Sequence, residues 1–244
     1  MKKLILVLCL ISSFAFGQKV TLFAASSTKL AMEEILQEFK NKNSGVEIDV
    51  YFSATGKAYA QFQNGFKYDI FMAADSKYPQ TIVDNGDAIS SPIVYAKGVV
   101  ALYSKDKELL KDGIEALKNQ KVKKISIANP KLAPYGAAAV EILKNYGFFD
   151  ELSSKIVQGD NIAQSVQFVD SGAAELGLVA FSLIKQTHSG DEYMIIDSSK
   201  HSPMNQSFVL TKYAKDNSNA QKLADFITSS DAKEIFAKYG FGVE

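Results

Sequence analysis

Four short segments hold residues able to grip an anion without any charge of their own: Ser26-Ser27-Thr28, Ser53-Ala54-Thr55-Gly56, Ala133-Pro134-Tyr135-Gly136 and Asp160-Asn161-Ile162. Each sets small, hydroxyl-bearing or turn-forming residues just ahead of a stretch that reads as helix. The first turn of a helix leaves its N–H groups without intrahelical acceptors and carries the positive end of the helix dipole. Several such ends aimed at one cavity make an oxyanion site that needs no cationic side chain. All 27 basic residues are lysine and none is arginine. Ligands that need a bidentate guanidinium fork are therefore disfavoured, and a small oxyanion held by neutral donors is favoured.

Taken singly, each segment also has a plain structural reading. Ser27 or Thr28 can cap a helix, Gly56 can let the chain turn tightly before one, Tyr135 can pack on a turn, and Asn161 can cap again. The set carries more weight than its members, because capping gains nothing from convergence. Ser26-Ser27-Thr28-Lys29 matches S-x-x-K, but the companion S-D-N and K-T-G elements are absent, as is Gly-x-Ser-x-Gly. His188-Ser189-Gly190-Asp191 reads as a solvated turn rather than a metal cluster with Glu192. His201 is the other histidine, so a Ser-His-Asp triad would rest on one of these two. Lys57 lies just inside a helix start, where a cation is unfavourable, and is expected to face solvent.

The elements that must position these segments alternate in type. Val20-Thr21-Leu22-Phe23 is a strand, and Met32, Ile35, Leu36 and Phe39 mark one face of a helix over 28–42. Val46, Ile48, Val50 and Phe52 alternate with polar neighbours as a strand; a helix over 57–64, ended by Gly65, and a strand over 69–72 follow. Asp75 is expected to cap a helix over 76–83. A second run holds strands at 99–103, 124–128 and 176–180, with helices at 136–145 and 163–170. A strand at 207–210 and two helices close the chain. The β-α-β order implies parallel sheets flanked by helices, with ligands bound outside the carboxyl ends of strands. No internal repeat or low-complexity linker stands out. Two lobes joined by strand-like crossovers near 95–97 and 203–206 fit this pattern, with lobe I at 18–97 plus 206–244 and lobe II at 98–205.

Residues 1–17 differ from the rest. Lys2 and Lys3, the apolar run Leu4 to Leu10 and the small-residue exit Ala15-Phe16-Gly17 form a signal-peptide pattern, with the cut placed before Gln18. The mature balance becomes 25 lysines against 27 acids, or −2, which gives no sign of a nucleic-acid or anionic-membrane partner. Cys9, the only cysteine, leaves with the signal. Leu8 before it does not suit lipid attachment, and the mature chain is expected to have no disulfide and no thiolate metal site. The 16 phenylalanines and 11 tyrosines read mostly as core rather than as a nucleic-acid stacking platform.

These segments, in this order, resemble the periplasmic molybdate-binding proteins of molybdate ABC transporters, which are type II periplasmic binding proteins. The likeness runs from Val20 to Ala237-Lys238-Tyr239-Gly240-Phe241. It rests on Phe23-Ala24-Ala25-Ser26-Ser27, Ser53-Ala54-Thr55-Gly56, Tyr68-Asp69-Ile70-Phe71-Met72-Ala73-Ala74-Asp75, Asn129-Pro130 with Ala133-Pro134-Tyr135-Gly136, and Leu176-Gly177-Leu178-Val179-Ala180. The resemblance implies a two-lobed α/β fold, each lobe a mostly parallel sheet flanked by helices, with the ligand cleft between them. It implies a non-enzymatic, extracytoplasmic monomer that captures molybdate or tungstate for an inner-membrane ABC permease, with no cofactor and no direct metal ligand. Ser26, Ser27, Thr55, Tyr135 and Ile162 are the implied oxyanion ligands. Thr55 stands where serine is usual, and Tyr135 supplies a backbone N–H with its hydroxyl as a second candidate donor. One branch of the family carries a ligand tyrosine at the position of Ala180; this chain follows the branch with Pro-Tyr-Gly instead.

A fully deprotonated oxyanion needs donors only. Hydrogen bonds to a charged acceptor contribute about 1.5–3 kcal/mol each, so a handful can outweigh desolvation of a dianion. Phosphate keeps a proton near neutral pH and would lack an acceptor for it. Sulfate matches in charge, so it must be excluded by cavity size. The alternatives kept open are another tetrahedral oxyanion such as sulfate and, in a different class, a secreted serine-type hydrolase built on Ser26 or Ser27. A general base beside Ser27 would favour the hydrolase.

Overall fold

The computed structural model describes residues 18–243; the signal-peptide pattern and Cys9 lie outside the described residues. The chain opens with β1 (Val20–Ala25), a single 3-10 turn at Ser26–Thr28, α1 (Lys29–Lys42), β2 (Ile48–Ser53), α2 (Thr55–Gln63), β3 (Ile70–Met72), α3 (Lys77–Asp84) and β4 (Ile93–Lys97). It crosses to β5 (Val100–Tyr103), α4 (Lys107–Leu110), β6 (Ile125–Ala128), α5 (Pro134–Asn145), α6 (Phe149–Leu152), β7 (Ile156–Gly159), α7 (Ile162–Asp170), β8 (Leu176–Ala180) and β9 (Tyr193–Ile195). It then returns through β10 (Asn205–Leu210), α8 (Ser218–Ile227) and α9 (Ser230–Lys238).

Two five-stranded sheets result, ordered β2-β1-β3-β10-β4 and β7-β6-β8-β5-β9. In the first, β1 runs parallel to β2 and β3, while β10 lies antiparallel between β3 and β4. In the second, β6 is parallel to β7 and β8, and β5 lies antiparallel between β8 and β9. The two sheets thus share one plan, with three parallel strands, one reversed strand and one edge. No repeat in the amino-acid sequence announces this, because packing constrains polarity and size rather than residue identity.

Strand alternation explains how each sheet is covered. Leu22 and Ala24 of β1 face Met32, Ile35 and Phe39 of α1 and Leu223, Ile227 and Phe236 of α8 and α9. Phe23 and Ala25 point the other way, into a core with Phe62, Tyr68, Phe71 and Ile82 that continues without a break into the second sheet and its helices. The Phe23 and Phe71 rings meet at 4.6 Å between centroids. The two crossovers are tied together, the Gly98 N–H donating to the Met204 carbonyl at 2.9 Å, and Lys97 is the register partner of Asn205.

The helices α2, α5 and α7 begin one to two residues earlier than their hydrophobic periodicity indicates, at Thr55, Pro134 and Ile162. β2 starts at Ile48 rather than Val46. The half-exposed edge strands β7 and β9 and the one-turn helices α4 and α6 are too short for the sequence pattern to disclose. Asp75 is not the cap of α3. That position falls to Ser76, and the Asp75 carboxylate accepts the Tyr78 N–H at 3.2 Å from one residue further back.

Candidate functional site

Each of the four singled-out segments follows a strand and opens a helix. After β1 the chain tightens into the 3-10 turn Ser26–Thr28, where Thr28 Oγ1 donates back to the Ala25 carbonyl at 2.8 Å. Thr28 takes the N-cap position of α1, as the capping reading expects, but neither its side chain nor that of Ser27 bonds the first turn. After β2, Ala54 is the N-cap residue and Thr55 the first residue of α2, with no side-chain cap. After β6, Pro134 takes the first helical position of α5, where its missing N–H costs nothing, and Tyr135 follows. After β7, Asn161 caps α7 by accepting the Ala163 and Gln164 N–H groups at 3.0 and 3.1 Å, and the Gln164 side chain accepts the Asp160 N–H at 2.6 Å in return. That reciprocal cap leaves Ile162 N–H, at the first helical position, outside the intrahelical ladder.

All five implied ligands line one small cavity. Its wall is Ala25, Ser26, Ser27, Ser53, Ala54, Thr55, Ala74, Ala133, Pro134, Tyr135 and Ile162, closed down to about 10 Å³ of free space. No charged side chain contributes to that lining. Thr55 Oγ1 accepts the Ala74 N–H at 3.1 Å, which leaves its own proton free to point inward. Two bonds draw the walls together from opposite sheets: the Gly56 N–H donates to the Leu132 carbonyl at 2.8 Å, and Ser182 Oγ donates to the Ser27 carbonyl at 2.7 Å. Gly56 does not serve a turn before α2. It is the helix's second residue, and a Cβ there would meet Leu132 O at 3.0 Å and the Tyr78 hydroxyl at 2.7 Å. Close approach of the two walls is what the glycine permits.

Tyr135 is fully buried, and its hydroxyl turns away into the hinge rather than toward the cavity lining. It lies 3.1 Å from Gln206 Nε2, and the Ser182 side chain, the Val99 backbone and Ser27 also reach it. The candidate hydroxyl donor is therefore committed to the hinge, and the contribution left to the cavity is the backbone N–H. Gln206 Oε1, at the other end of the amide, lies 2.9 Å from the Tyr95 hydroxyl and 3.5 Å from Ser27 Oγ. Burial pushes the Tyr95 and Tyr135 phenols well above their ordinary range, so both keep their protons at any physiological pH. Gln206, Tyr95, Ser182 and Ala74 are residues the sequence reading passed over. A buried glutamine ahead of the apolar run Phe208-Val209-Leu210 is the one signal that could have drawn attention to the first of them.

Neither histidine approaches the serines. His188 Nε2 is 3.1 Å from Asp170 and its Nδ1 2.8 Å from Thr187 Oγ1, with its ring edge-on to Tyr103 at 4.8 Å. The turn around it is solvated as expected at Ser189, Gly190 and Asp191, but the imidazole itself is largely covered. His201 bonds the Ser202 carbonyl on the outer side of the crossovers. Lys57 is exposed, as a cation at a helix start should be. Ala180 closes β8 inside the core and takes no part in the cavity lining. Among the described residues no group of three or more His, Cys, Asp or Glu side chains could hold a metal ion, and no helix is long and apolar enough to cross a membrane.

Residues 20–242 match the family described as bacterial extracellular solute-binding protein. The chain is 35% identical over 238 residues to the molybdate-binding protein ModA of Azotobacter vinelandii, covering 96% of this chain and 94% of that one. It is 33% identical over 242 residues to the Rhodobacter capsulatus protein of the same name, covering 99% and 94%. A solved structure of an Azotobacter vinelandii periplasmic molybdate-binding protein superimposes with a TM-score of 0.86 at 27% identity, over 92% of this chain and 99% of that one.

Proposed function

Because the chain belongs to the bacterial extracellular solute-binding proteins, among relatives that are molybdate-binding proteins, we propose that it captures molybdate or tungstate outside the cytoplasm and hands it to an ABC importer. The observation that carries this reading is the convergence of four strand-to-helix junctions, two from each sheet, on one cavity without a charged wall. The N–H groups of Ser27, Thr55, Tyr135 and Ile162 and the hydroxyls of Ser26, Ser27 and Thr55 are the proposed donors. Each bond to the dianion contributes about 1.5–3 kcal/mol. Fixed donors cost no reorganisation when the ion arrives.

The donor-only wall rejects an ion that brings its own proton, since that proton would face another N–H or O–H. Sulfate meets the same donors but is smaller than molybdate, so a cavity held at the larger size leaves its bonds stretched. The serine-hydrolase alternative lacks support: the amide of Gln206, which is no base, stands beside Ser27, and both histidines are engaged elsewhere. Closure of the two lobes over the ion, through the Gly56–Leu132 and Ser182–Ser27 bonds, would present a single rigid surface to the permease. Residues 1–17 serve in this reading as the export signal, and the mature chain acts as a monomer without a cofactor.

Calorimetric titration of the mature, ligand-stripped chain tests the assignment. Molybdate and tungstate are expected to bind one-to-one and tightly, sulfate at least about a hundredfold more weakly, and phosphate not measurably. Preference for sulfate would overturn the substrate, and silence with all four ions would overturn the oxyanion reading. Charge plays a second part in the test. With no cation in the wall, raising chloride from about 20 to 500 mM is expected to change the molybdate affinity by less than about threefold, because a buried site is shielded from mobile ions. A steep salt dependence would mean that lysines outside the cavity hold the ion.

A further inference from the structure

From the hydrogen bonds around the crossovers we infer that Gln206 sets the direction of the Ser27 hydroxyl, presenting its amide NH2 to Tyr95 and Ser27 and its carbonyl to Tyr135, so that the Ser27 proton is favoured to point into the cavity rather than back at Gln206. Gln206 is a positioning residue in this scheme and rests on the proposed oxyanion site.

Tyr95 decides which end of the amide is which. Its buried hydroxyl lies 3.0 Å from the Ala73 carbonyl and 2.9 Å from one end of the Gln206 amide. A phenol has one proton, and a backbone carbonyl can only accept. The proton therefore goes to Ala73, and an amide oxygen at the second position would leave two acceptors facing each other in a buried site, at the cost of a lost hydrogen bond. An amide NH2 there satisfies both. Exchanging the oxygen and nitrogen ends leaves the shape of the side chain unchanged, so the hydrogen-bond network is what assigns them.

The consequence propagates to the other two partners. The second proton of the NH2 is directed at Ser27 Oγ, 3.5 Å from the same end of the amide. This is the longest of the contacts and matters for direction more than strength. With a lone pair occupied from behind, Ser27 turns its own proton forward. The carbonyl end then accepts the Tyr135 proton across 3.1 Å, and that hydroxyl receives the Val99 N–H in turn. Each polar group in the chain Ala73–Tyr95–Gln206–Tyr135–Val99 then has a compatible role, with Ser182 and Ser27 also within reach of the Tyr135 hydroxyl. Thr55 shows the same device on the same wall, its oxygen occupied from behind by the Ala74 N–H. Ser27 and Thr55 are thus both made donors, one by a side chain and one by the backbone, and an ion that needs an acceptor finds none in either.

The test uses the whole mature protein and sodium molybdate as probe. Gln206→Leu frees the Ser27 hydroxyl and is expected to weaken binding about tenfold, with no pH dependence between pH 6 and 8.5. In that background Ser27→Ala should cost less than about threefold, against about tenfold or more in the wild type, because the preset direction is already lost. Gln206→Glu gives the readout that a merely structural role would not move. The titratable groups facing position 206 are the two phenols, which stay neutral, with Asp75 acting on Tyr95 from the α3 side. An ionised glutamate can only accept, so it would pull the Ser27 proton away from the cavity; a protonated one carries a single O–H, shared between Tyr95 and Ser27, and restores the donation in part. Affinity of this variant should therefore be lowest at high pH and recover as pH falls, while the wild type stays flat. A pH-flat Gln206→Glu protein, or equal Ser27→Ala losses in both backgrounds, would overturn the role of Gln206. Absence of molybdate binding by the wild type would instead overturn the oxyanion site itself. Melting curves without ligand identify any variant that has failed to fold, and Gln206→Met, of similar shape, then replaces Gln206→Leu.

Discussion

Replacing Gly56 by alanine is expected to lower the molybdate affinity by about 10- to 100-fold while leaving the ligand-free protein as stable as before, or more so. The two effects come from different states of the same residue. Within α2, alanine is a better helix former than glycine by about 1 kcal/mol, and Gly56 has no need of a left-handed backbone. Between the lobes the added methyl meets Leu132 O at 3.0 Å and Leu132 Cα at 3.2 Å, both main-chain atoms of the facing wall. Overpacking of that kind costs about 1–3 kcal/mol, and every 1.4 kcal/mol is tenfold in affinity. The Leu132 contacts belong to the closed arrangement, with the Gly56 N–H on the Leu132 carbonyl, whereas the Tyr78 hydroxyl, 2.7 Å from the same methyl, lies in the first lobe and swings aside in both states. Calorimetry paired with thermal melts in the presence and absence of molybdate checks it: the melting temperature of the free protein should hold or rise, and the ligand-induced increase should shrink. Loss of both together would mean that Gly56 supports the fold of the first lobe rather than closure.

Gly136→Ala should act in the opposite sense, on the fold before the ligand. Its methyl would stand 2.2 Å from the Ala128 carbonyl oxygen and 2.8 and 2.9 Å from the Ala128 and Asn129 carbonyl carbons. Nothing flexible is available to give way, so the first turn of α5 must lift off the end of β6. A loss of about 3 kcal/mol or more is expected, seen as a fall in melting temperature of roughly 6–12 °C for a chain of this size. Pro134 and Tyr135 ride on that turn, so molybdate binding should fall with it even at temperatures where the variant stays folded. An unchanged melting temperature would show that α5 is not seated as tightly on β6 as the close approach requires.

Much of this arrangement can be read from residue types, and the limits of that reading have physical causes. Met32, Ile35, Leu36 and Phe39 announce α1 because one face of a long helix must be apolar, and the buried strands at the middle of the two sheets announce themselves for a like reason. The cavity was legible through a different channel. Small and hydroxyl residues at four strand-to-helix junctions are unusual only when counted together, and their number pointed to a shared ligand. What stayed hidden was whatever depends on the partner across the cleft. The sequence shows a glycine at 56 but not the Leu132 carbonyl it must pass. It shows Tyr135 at a helix mouth but not that its ring carries the hydroxyl back into the hinge. Gln206 is the plainest case. A lone glutamine at a crossover has no periodicity, no motif and no charge, and its importance lies in three hydroxyls delivered by segments more than a hundred residues away in two cases of the three.

The common plan of the two sheets bears on why a tetrahedral ion suits this cleft. The first strand of each triplet, β1 or β6, leads to one pair of donors at Ser26-Ser27 or Tyr135, and the second, β2 or β7, leads to the other at Thr55 or Ile162. The shared plan brings corresponding strand ends of the two sheets, carrying Ser27 and Tyr135 and then Thr55 and Ile162, to one cavity. A tetrahedral oxyanion has twofold axes, each exchanging its oxygens in pairs. In the proposed site one pair of oxygens meets the hydroxyls and N–H groups of Ser26, Ser27 and Thr55 on the first lobe, and the other pair meets the N–H groups of Tyr135 and Ile162 on the second. A planar carboxylate has only one pair of oxygens, and an ester has one distinguished oxygen, so neither offers a pair to each lobe, whatever its charge.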